Sequence, residues 1–331
     1  MSITLLDIAK KTGVSSYTVS RALNNKPDIS KKTKKLIIKV AKELNYTPNS
    51  IARSLVQKKT NTLGVLLPNI ADSFYAEILS GIERMSRNKN YNILFCNTDH
   101  DPIVERKSFT MLLEKRVDGI LICPTEKNDQ YIKMLREITI PYVLIKTHTD
   151  LLDCDNVFVD VTYGAYLAVN HLIKKGYKKI YQIYSMAQNL DTKERIEGCK
   201  KAFKKNKISL DKLELIYSER KLESFYNITE KYINYTGEKV GIFVFDDEMA
   251  MGVYKALTNK GLKVPEQVGI VGYDNIKISP YFAKSLTTVH YPKYEIGVKG
   301  TELLIKRIKL KNQSNPNKII LKPKLIIRET T

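Results

Sequence analysis

The sequence predicts a small all-α head that contains a helix-turn-helix, followed by an α/β core of two doubly wound parallel-sheet lobes. Residues 4–44 contain three helical patterns, whereas from Thr62 short apolar runs alternate with amphipathic helices, as in parallel sheets covered on both faces. A chain of 331 residues is long enough for two to three compact units. Residues 1–59 carry 13 basic and 3 acidic side chains, half of the net charge of +20. This surplus indicates a polyanion-binding unit.

Two helices joined by a short turn are predicted at the start of the chain. Thr4 and Asp7 have the spacing of a capping box at the first helix. Gly13 allows the turn, and Ser15 can cap a second helix that runs to Asn24. The polar face of this second helix carries Ser16, Tyr17, Ser20, Arg21 and Asn24. In a helix-turn-helix the second helix is the one that enters the DNA major groove.

A third helix is predicted to begin at Ser30, with Thr33 in its first turn. Its apolar face consists of Leu36, Ile37, Val40, Ala41 and Leu44. Lysines crowd the rest of its surface, and beside a groove-reading helix they add a field that attracts phosphates. The predicted domains are a head over 1–47, a hinge helix and linker over 48–60, and a core over 61–331.

The N-terminal segment resembles the signature of the lactose-repressor/galactose-repressor (LacI/GalR) family of bacterial transcription regulators. The matching stretches are Thr4–Ala9, Gly13–Ser15 and Thr18–Asn24, with Thr12 departing from the usual alanine. The resemblance implies a sequence-specific repressor that binds a near-palindromic DNA operator as a homodimer. It places Ser16, Tyr17 and Arg21 at base edges. It places Thr4, Ser15, Ser20, Asn24 and Asn49 near phosphates.

The stretch Tyr46–Leu55 resembles the hinge helix of the same family, with Pro48 at a position that can start a helix. So short a helix is not stable alone in water, so its order must come from a partner. In the family, paired hinge helices form on DNA and push a leucine between minor-groove base steps. Leu55 occupies that place, and Asn49 and Ala52 match the pattern. A plain interdomain linker is the alternative interpretation.

The core contains the alternation of strands and helices that is typical of parallel sheets. Strands are predicted at Leu63–Leu67, Asn92–Cys96, Gly119–Ile122, Tyr142–Ile145, Lys179–Tyr184, Val240–Phe245 and Gly269–Gly272. Helices are predicted at Phe74–Arg87 and Glu105–Lys115. We therefore expect two sheets, at about 61–160 and 161–289, that face each other across a cleft.

The core also resembles the family's effector-binding core, which is itself similar to periplasmic sugar-binding proteins. The resemblance is carried by Gly64–Pro68, Val117–Ile120, Gly164-Ala165 with His171-Leu172, Asp247 with Ala250 and Gly252, and Val271–Asp274. It implies that the final stretch crosses back between lobes. The N-lobe would comprise about 61–160 and 292–320, and the C-lobe about 161–289 and 322–331.

Ligands of open α/β sheets bind outside the carboxyl ends of the strands. The predicted effector-binding residues are Phe74, Tyr75, Lys146, Arg195, Asp246, Asp274 and Tyr291. Arg195, spaced R-x-x-G before Gly198, and Asp274 match family positions that contact the effector. A core position is the alternative for Phe74, and closing the crossover is the alternative for Tyr291. The family more often has asparagine or serine at position 246 and aspartate at position 146.

Two cleft charges of each sign suit a polyhydroxylated effector, because carboxylates accept hydrogen bonds from hydroxyls and arginine offers several donors. A sugar is therefore the first candidate. A sugar acid and a nucleoside are the alternatives, since Lys146 could pair with an anionic group. Whether the effector induces or corepresses stays open.

Catalytic motifs are missing from the sequence, which has no G-x-G-x-x-G, G-x-x-x-x-G-K-[ST], G-x-S-x-G or H-E-x-x-H. Asp246 and Asp247 are adjacent on an extended segment, so their carboxylates point to opposite sides and do not form an acid/base pair. The four histidines lack metal-ligand spacing. We expect no enzyme activity, no cofactor and no metal. A sugar-acting enzyme with a basic appendage and a transporter's solute-binding protein are the disfavoured alternatives.

The four cysteines are far apart and form no C-x-x-C pair, which indicates reduced thiols. No export signal and no run of eighteen apolar residues occur, so a cytoplasmic location without membrane association is expected. The stretch 322–331, assigned above to the C-lobe, shows no heptad pattern. A dimer is therefore predicted rather than a tetramer.

Overall fold

The computed structural model describes residues 3–47, 59–125, 129–149, 151–185, 190–310 and 315–331. The chain divides into two units, Met1–Thr60 and Asn61–Thr331. In the described residues, the first unit contains three helices, and the second contains two mainly parallel sheets with helices between their strands. The predicted fold class, an all-α head and a two-lobed α/β core, is confirmed.

The head consists of helices α1 (Leu5–Thr12), α2 (Ser16–Leu23) and α3 (Lys31–Glu43). The Asp7 carboxylate accepts a hydrogen bond from the Thr4 backbone N–H at 2.9 Å. Ser15 Oγ caps α2 by accepting a hydrogen bond from the Thr18 N–H at 3.1 Å. Ile8, Val19, Ala22, Ile37, Val40 and Ala41 form the buried centre. The prediction that Leu36 lies on the buried face of α3 is wrong, since its side chain is 46% exposed and lies outside the buried cluster.

The first sheet lies in the N-terminal lobe of the core and is parallel throughout. Its strand order is β11-β5-β4-β3-β1-β2. The strands are β1 (Thr62–Leu67), β2 (Asn92–Asn97), β3 (Gly119–Ile122), β4 (Tyr142–Ile145), β5 (Asn156–Val159) and β11 (Lys318–Leu321). The helices that precede β5 are α4 (Ser73–Asn88), α5 (Pro102–Glu114) and α6 (Asp129–Arg136).

The second sheet repeats this arrangement in the C-terminal lobe, with the order β12-β10-β9-β8-β6-β7. Only β12 runs antiparallel to its neighbour among the described strands. The strands are β6 (Lys179–Tyr184), β7 (Leu213–Tyr217), β8 (Val240–Val244), β9 (Val268–Asp274), β10 (Thr287–His290) and β12 (Lys324–Ile326). The helices are α7 (Val161–Lys174), α8 (Leu190–Lys205), α9 (Leu222–Tyr232) and α10 (Asp247–Asn259).

The chain crosses between the two sheets several times, after β5, after β10 and between β11 and β12. Helix α11 (Lys293–Leu310) returns to the first lobe and packs against α4. The two helices approach closely at Gly81 and Gly297, where an added Cβ would lie 2.2 Å from a backbone oxygen of the facing helix. These crossings connect the lobes by short segments, the kind of connection that serves as a hinge in proteins whose domains close on a ligand.

An aromatic bridge joins the lobes beside the crossings. The rings of Phe74 and Tyr291 lie 5.1 Å apart, and those of Tyr291 and Tyr273 lie 6.2 Å apart. All three side chains belong to one apolar cluster that extends through both lobes. In the described part of the chain, none of the helices is both long and apolar enough to span a bilayer.

Candidate functional site

Helix α2 presents a polar face because its other face is buried in the head. Val19 and Ala22 are almost fully buried, whereas Tyr17 is 68% exposed. Of the other residues predicted to contact DNA, Thr4, Ser15 and Asn24 are exposed and Ser16, Ser20 and Arg21 are half-buried. Asn49, Ala52 and Leu55 lie outside the described residues. The structure thus brings the predicted groove-reading side chains together on one surface.

Several of these side chains are held by short hydrogen bonds within the head. Thr4 Oγ1 donates to the Asp7 carboxylate at 2.7 Å, and Asn24 Nδ2 donates to the Ser20 carbonyl at 2.8 Å. Arg21 pairs with Asp28, with 2.6 Å between Nε and Oδ2. The surface is therefore ordered before any ligand arrives.

The second site is a cavity of about 1170 Å³ within the core. All seven residues predicted to bind an effector line it: Phe74, Tyr75, Lys146, Arg195, Asp246, Asp274 and Tyr291. They converge because strands of both sheets end there, as expected for parallel sheets whose carboxyl edges face each other. Phe74 and Tyr291 also belong to the buried apolar cluster, so the core position considered for Phe74 agrees with the structure, and effector contact by either side chain stays a prediction.

Two ion pairs bridge the lobes across this cavity. Lys146 Nζ, after β4, lies 2.7 Å from Asp191 Oδ2 at the start of α8. Arg220, after β7, donates from Nη2 to Asp72 Oδ2 at the start of α4 and from Nε to Asp246 Oδ2, both at 2.9 Å. A third contact of 3.5 Å joins His148 Nε2 and Glu194 Oε1. The Lys146–Asp191 and Arg220–Asp72 pairs thus join the two lobes through charges of opposite sign.

These pairs fix the charge states of their cations. Burial is the largest single effect and lowers the pKa of Lys146, but Asp191 together with Tyr75 and Tyr291 raises it, and the pKa lies well above the usual lysine value. Burial likewise opposes the charged form of Arg220, and Asp246 and Asp72 more than compensate, so its pKa is raised. Both cations therefore stay charged at neutral pH.

Arg195 has a different environment. Its guanidinium carbon lies 3.9 Å from the ring centroid of Tyr273 and 4.8 Å from that of Phe245, distances that allow cation–π attraction. Nη1 donates to the Phe245 carbonyl. Nε is buried and has no hydrogen-bond partner among the described residues. Arg195 lines the cavity, so its guanidinium is placed to donate to a ligand oxygen, whereas the enclosed Nε is not reached from the empty cavity.

Asp274 occupies an unusual position at the end of β9. Its backbone φ is +96°, and that of Lys146 is +69°; both lie in the left-handed region that side-chain-bearing residues seldom adopt. Such strain is concentrated at functional sites in proteins. Burial raises the pKa of Asp274 to about 6, although Arg195 and Lys293 act in the opposite direction. The carboxyl therefore changes its charge within a range that is accessible to experiment.

The neighbouring carboxylates Asp246 and Asp247 have separate environments. Asp246 caps α10 by accepting from the Met249 N–H at 2.7 Å and lines the cavity. Asp247 is completely buried and accepts hydrogen bonds of 2.5 Å from the Ser279 and Thr288 hydroxyls. The two groups do not converge, which agrees with the sequence-based argument against an acid/base pair.

Several charged residues of the cavity were not identified from the sequence: Asp72, His100, His148, Asp191, Lys193 and Arg220. Asp72 and Asp191 lie at or beside the starts of α4 and α8, after β1 and β6, so their place at strand ends was a usable signal. Arg220 follows β7, a strand that the sequence analysis did not recognise. The cavity lining therefore contains more charged side chains than the two of each sign that the sequence analysis predicted.

Comparison with known proteins adds independent evidence. The family profile for bacterial regulatory proteins of the lacI family matches residues 4–49. The profile for periplasmic binding proteins and the sugar binding domain of the LacI family matches residues 60–329. The HTH-type transcriptional regulator RegA of Clostridium saccharobutylicum is 35% identical over 334 residues, covering 100% of both chains. The HTH-type transcriptional repressor PurR of Photobacterium profundum is 31% identical over 328 residues, covering 99% of this chain and 98% of that protein.

Solved structures give the same result. The Lac repressor dimer bound to operator and the anti-inducer ONPF has a TM-score of 0.89 at 24% identity, covering 100% of this chain and 99% of that one. A LacI family regulator from Enterococcus faecium with bound ribose has a TM-score of 0.71 at 29% identity, covering 82% of this chain and 98% of that one. The chain therefore belongs to the LacI family and is a DNA-binding transcriptional regulator, not an enzyme.

Proposed function

We propose that the chain is a repressor whose affinity for a near-palindromic operator is switched by a small molecule bound between its two core lobes. The observation that carries this proposal is the shared cavity, in which both lobes supply charged side chains and ion pairs join them. A ligand that enters must exchange contacts with both lobes. Its binding energy therefore depends on the angle between them, which is the condition for a population shift.

On the DNA side, we propose that two copies of the head bind as a homodimer. Ser16, Tyr17 and Arg21 would contact base edges, and Thr4, Ser15, Ser20, Asn24 and Asn49 would contact phosphates. Leu55 would act as the minor-groove wedge, with Ala52 in the same hinge segment. The two-fold symmetry of a dimer explains why the operator is expected to be near-palindromic. Comparing amide exchange of residues 49–55 on operator DNA, with and without effector, tests whether this segment transmits the switch.

We propose a sugar or sugar derivative as the effector. Four carboxylates line the cavity, Asp72, Asp191, Asp246 and Asp274, and can accept hydrogen bonds from ligand hydroxyls. The ribose bound to the Enterococcus faecium relative supports this class. A nucleoside is the second candidate, because aromatic side chains such as Tyr217 and Phe245 line the same cavity and can stack on a base.

A panel of pentoses, hexoses, disaccharides, sugar acids and nucleosides tests the proposal in two steps. A ligand present at about a hundred times its Kd should stabilise the folded core by about 2.7 kcal/mol and raise its melting temperature. The ligands that do so are then added to a complex of the full chain with duplex DNA selected from random oligonucleotides. A stabilising ligand that leaves DNA affinity unchanged would contradict the switch. Stabilisation by nucleosides alone would replace the sugar assignment.

Effector affinity is expected to fall by up to tenfold per pH unit below about pH 6. The pKa of Asp274 is raised from 3.8 to about 6 in the empty cavity. Ligand hydroxyls that donate to the carboxylate favour its ionised form, so below pH 6 binding must also remove a proton. Titration calorimetry between pH 5 and pH 8 measures the slope. The Asp274→Asn variant should bind the effector more weakly, and its affinity should no longer depend on pH in this range. If the pH dependence is unchanged in Asp274→Asn, it arises from His100 or another group in the cavity.

The same shift has a consequence for stability without effector. Since the folded chain binds the Asp274 proton more tightly than the unfolded chain, the stabilising contribution is complete below pH 3.8. It is lost as the pH rises through about 6. Ionisation in the empty cavity therefore works against the fold, and an effector that pairs with the carboxylate removes this penalty.

A further inference from the structure

The guanidinium of Arg21 is held from two sides in the head. Asp28 accepts two hydrogen bonds of 2.6 Å, from Nε to Oδ2 and from Nη2 to Oδ1. Tyr17 Oη accepts a third from Nη1 at 3.0 Å. The Arg21 guanidinium carbon also lies 5.4 Å from the Tyr17 ring centroid. These contacts define the orientation of the Arg21 side chain before DNA is bound.

Counting the donors shows what remains available. An arginine has five N–H groups, of which Asp28 takes two and Tyr17 takes one. Among the described contacts, one N–H on each terminal nitrogen is left. Guanine presents two acceptors, O6 and N7, in the major groove, and the commonest specific protein–DNA contact is an arginine that donates to both. The remaining donors of Arg21 match this pair.

The backbone holds Asp28 in place for this role. It lies between Pro27, whose ring restricts φ, and Ile29, which packs against the buried centre of the head. Asp28 and Arg21 are both partly exposed, at 48% and 31% for the side chains, so the pair is not needed to satisfy buried charge. Hydrogen bonds from Arg21 lower the pKa of Asp28, which keeps the carboxyl ionised.

The negative charge of Asp28 is unfavourable for the affinity of the head for DNA of any sequence. Residues 1–59 contain only three acidic side chains against 13 basic ones. A carboxylate on the groove-reading face repels phosphates, so its presence there requires a compensating role. Fixing a long side chain before binding is such a role, because less rotamer entropy is then lost when the contact forms.

We propose that Asp28 is a positioning residue for DNA recognition, which holds the two remaining N–H groups of Arg21 in the orientation that one guanine requires. The inference rests on the proposed contact between Arg21 and a base edge and adds the residue that controls it. Asp28 itself need not touch DNA. Its effect is on the choice of base at a single position of each half-site.

The test compares three variants of the full chain: Asp28→Asn, Arg21→Ala and Glu43→Gln. Glu43 lies on α3, with 3.9 Å between its Oε1 and Lys39 Nζ, so Glu43→Gln removes the same charge at another place in the head. A duplex is first selected with the unaltered chain from random oligonucleotides. Affinities are then measured for that duplex and for all of its single-base-pair variants at two salt concentrations. Circular dichroism melting confirms that each head is folded.

We expect Asp28→Asn to reduce the discrimination at one guanine position by about tenfold, while its affinity for unrelated duplexes stays equal or rises. Glu43→Gln should show the same general gain with its base preference intact. Arg21→Ala should lose preference at the same position. An unchanged preference profile for Asp28→Asn would overturn the inference. A profile unchanged in Arg21→Ala would instead refute the base contact proposed for Arg21, and with it the inference.

Discussion

Arg195→Ala is expected to weaken effector binding by about a hundredfold and to make DNA binding insensitive to effector. Truncating one partner of a buried charged hydrogen bond commonly has effects of this size. Arg195 is 6% exposed, and its Nε has no acceptor among the described residues. The rings of Tyr273 and Phe245 hold the guanidinium in place, so little entropy is lost when a ligand oxygen accepts from it. A hydrogen bond from Arg195 to a bound effector therefore costs little side-chain entropy.

The measurement is titration calorimetry with a ligand identified by the thermal-shift panel. Arg195→Lys separates charge from shape, because lysine keeps the charge but lacks the planar group that stacks on aromatic rings. We expect it to recover only part of the affinity. Arg87→Ala is the matched control, since Arg87 is exposed and pairs with Glu83 on α4, away from the cavity lining. Affinity within threefold of the unaltered chain in Arg195→Ala would contradict the proposed contact.

The fold could be predicted because its pattern is local. Helical spacing in the head and apolar runs in the core show which face of each element is buried, although single positions such as Leu36 depart from the pattern. The predicted strands agree with the structure to within a few residues, as at β1 and β9. The strand β7 was missed because it is half exposed at the sheet edge and lacks a continuous apolar run.

The site could be predicted only in part, because its geometry depends on distant residues. The position of a residue at the end of a strand identified Lys146 and Asp274 as members of the cavity lining. No sequence pattern indicated that Lys146 pairs with Asp191, 45 residues away, or Arg220 with Asp72, 148 residues away. Asp28 was likewise treated as a loop residue, although it accepts two short hydrogen bonds from Arg21 on helix α2. Such pairs are set by how the lobes and helices pack.

Asp155→Ala is expected to lower the free energy of unfolding of the core by about 3–5 kcal/mol, because it leaves a buried arginine without its counter-charge. Arg307 donates to Asp155 through Nε at 2.6 Å and Nη2 at 2.7 Å, and the Asn317 N–H donates to the same carboxylate at 2.7 Å. The Arg307 side chain is 9% exposed and that of Asp155 is 1% exposed. The cluster joins α11 to the segment before β11, where the chain returns to the first sheet.

Urea unfolding followed by circular dichroism measures the effect, and Asp155→Leu combined with Arg307→Met is the decisive comparison. Replacing both members of a buried pair with apolar side chains of similar size is often neutral or stabilising. We therefore expect the double variant to be more stable than Asp155→Ala, even though it removes more native contacts. If both variants lose the same free energy of unfolding, the hydrogen bond that the Asn317 N–H donates to Asp155 contributes more to stability than the charge pair does. If Asp155→Ala loses less than about 1 kcal/mol, the other contacts of Arg307, such as its donation to the Asn315 carbonyl at 3.1 Å, or water suffice to stabilise the guanidinium, and the charge pair is not essential to the fold.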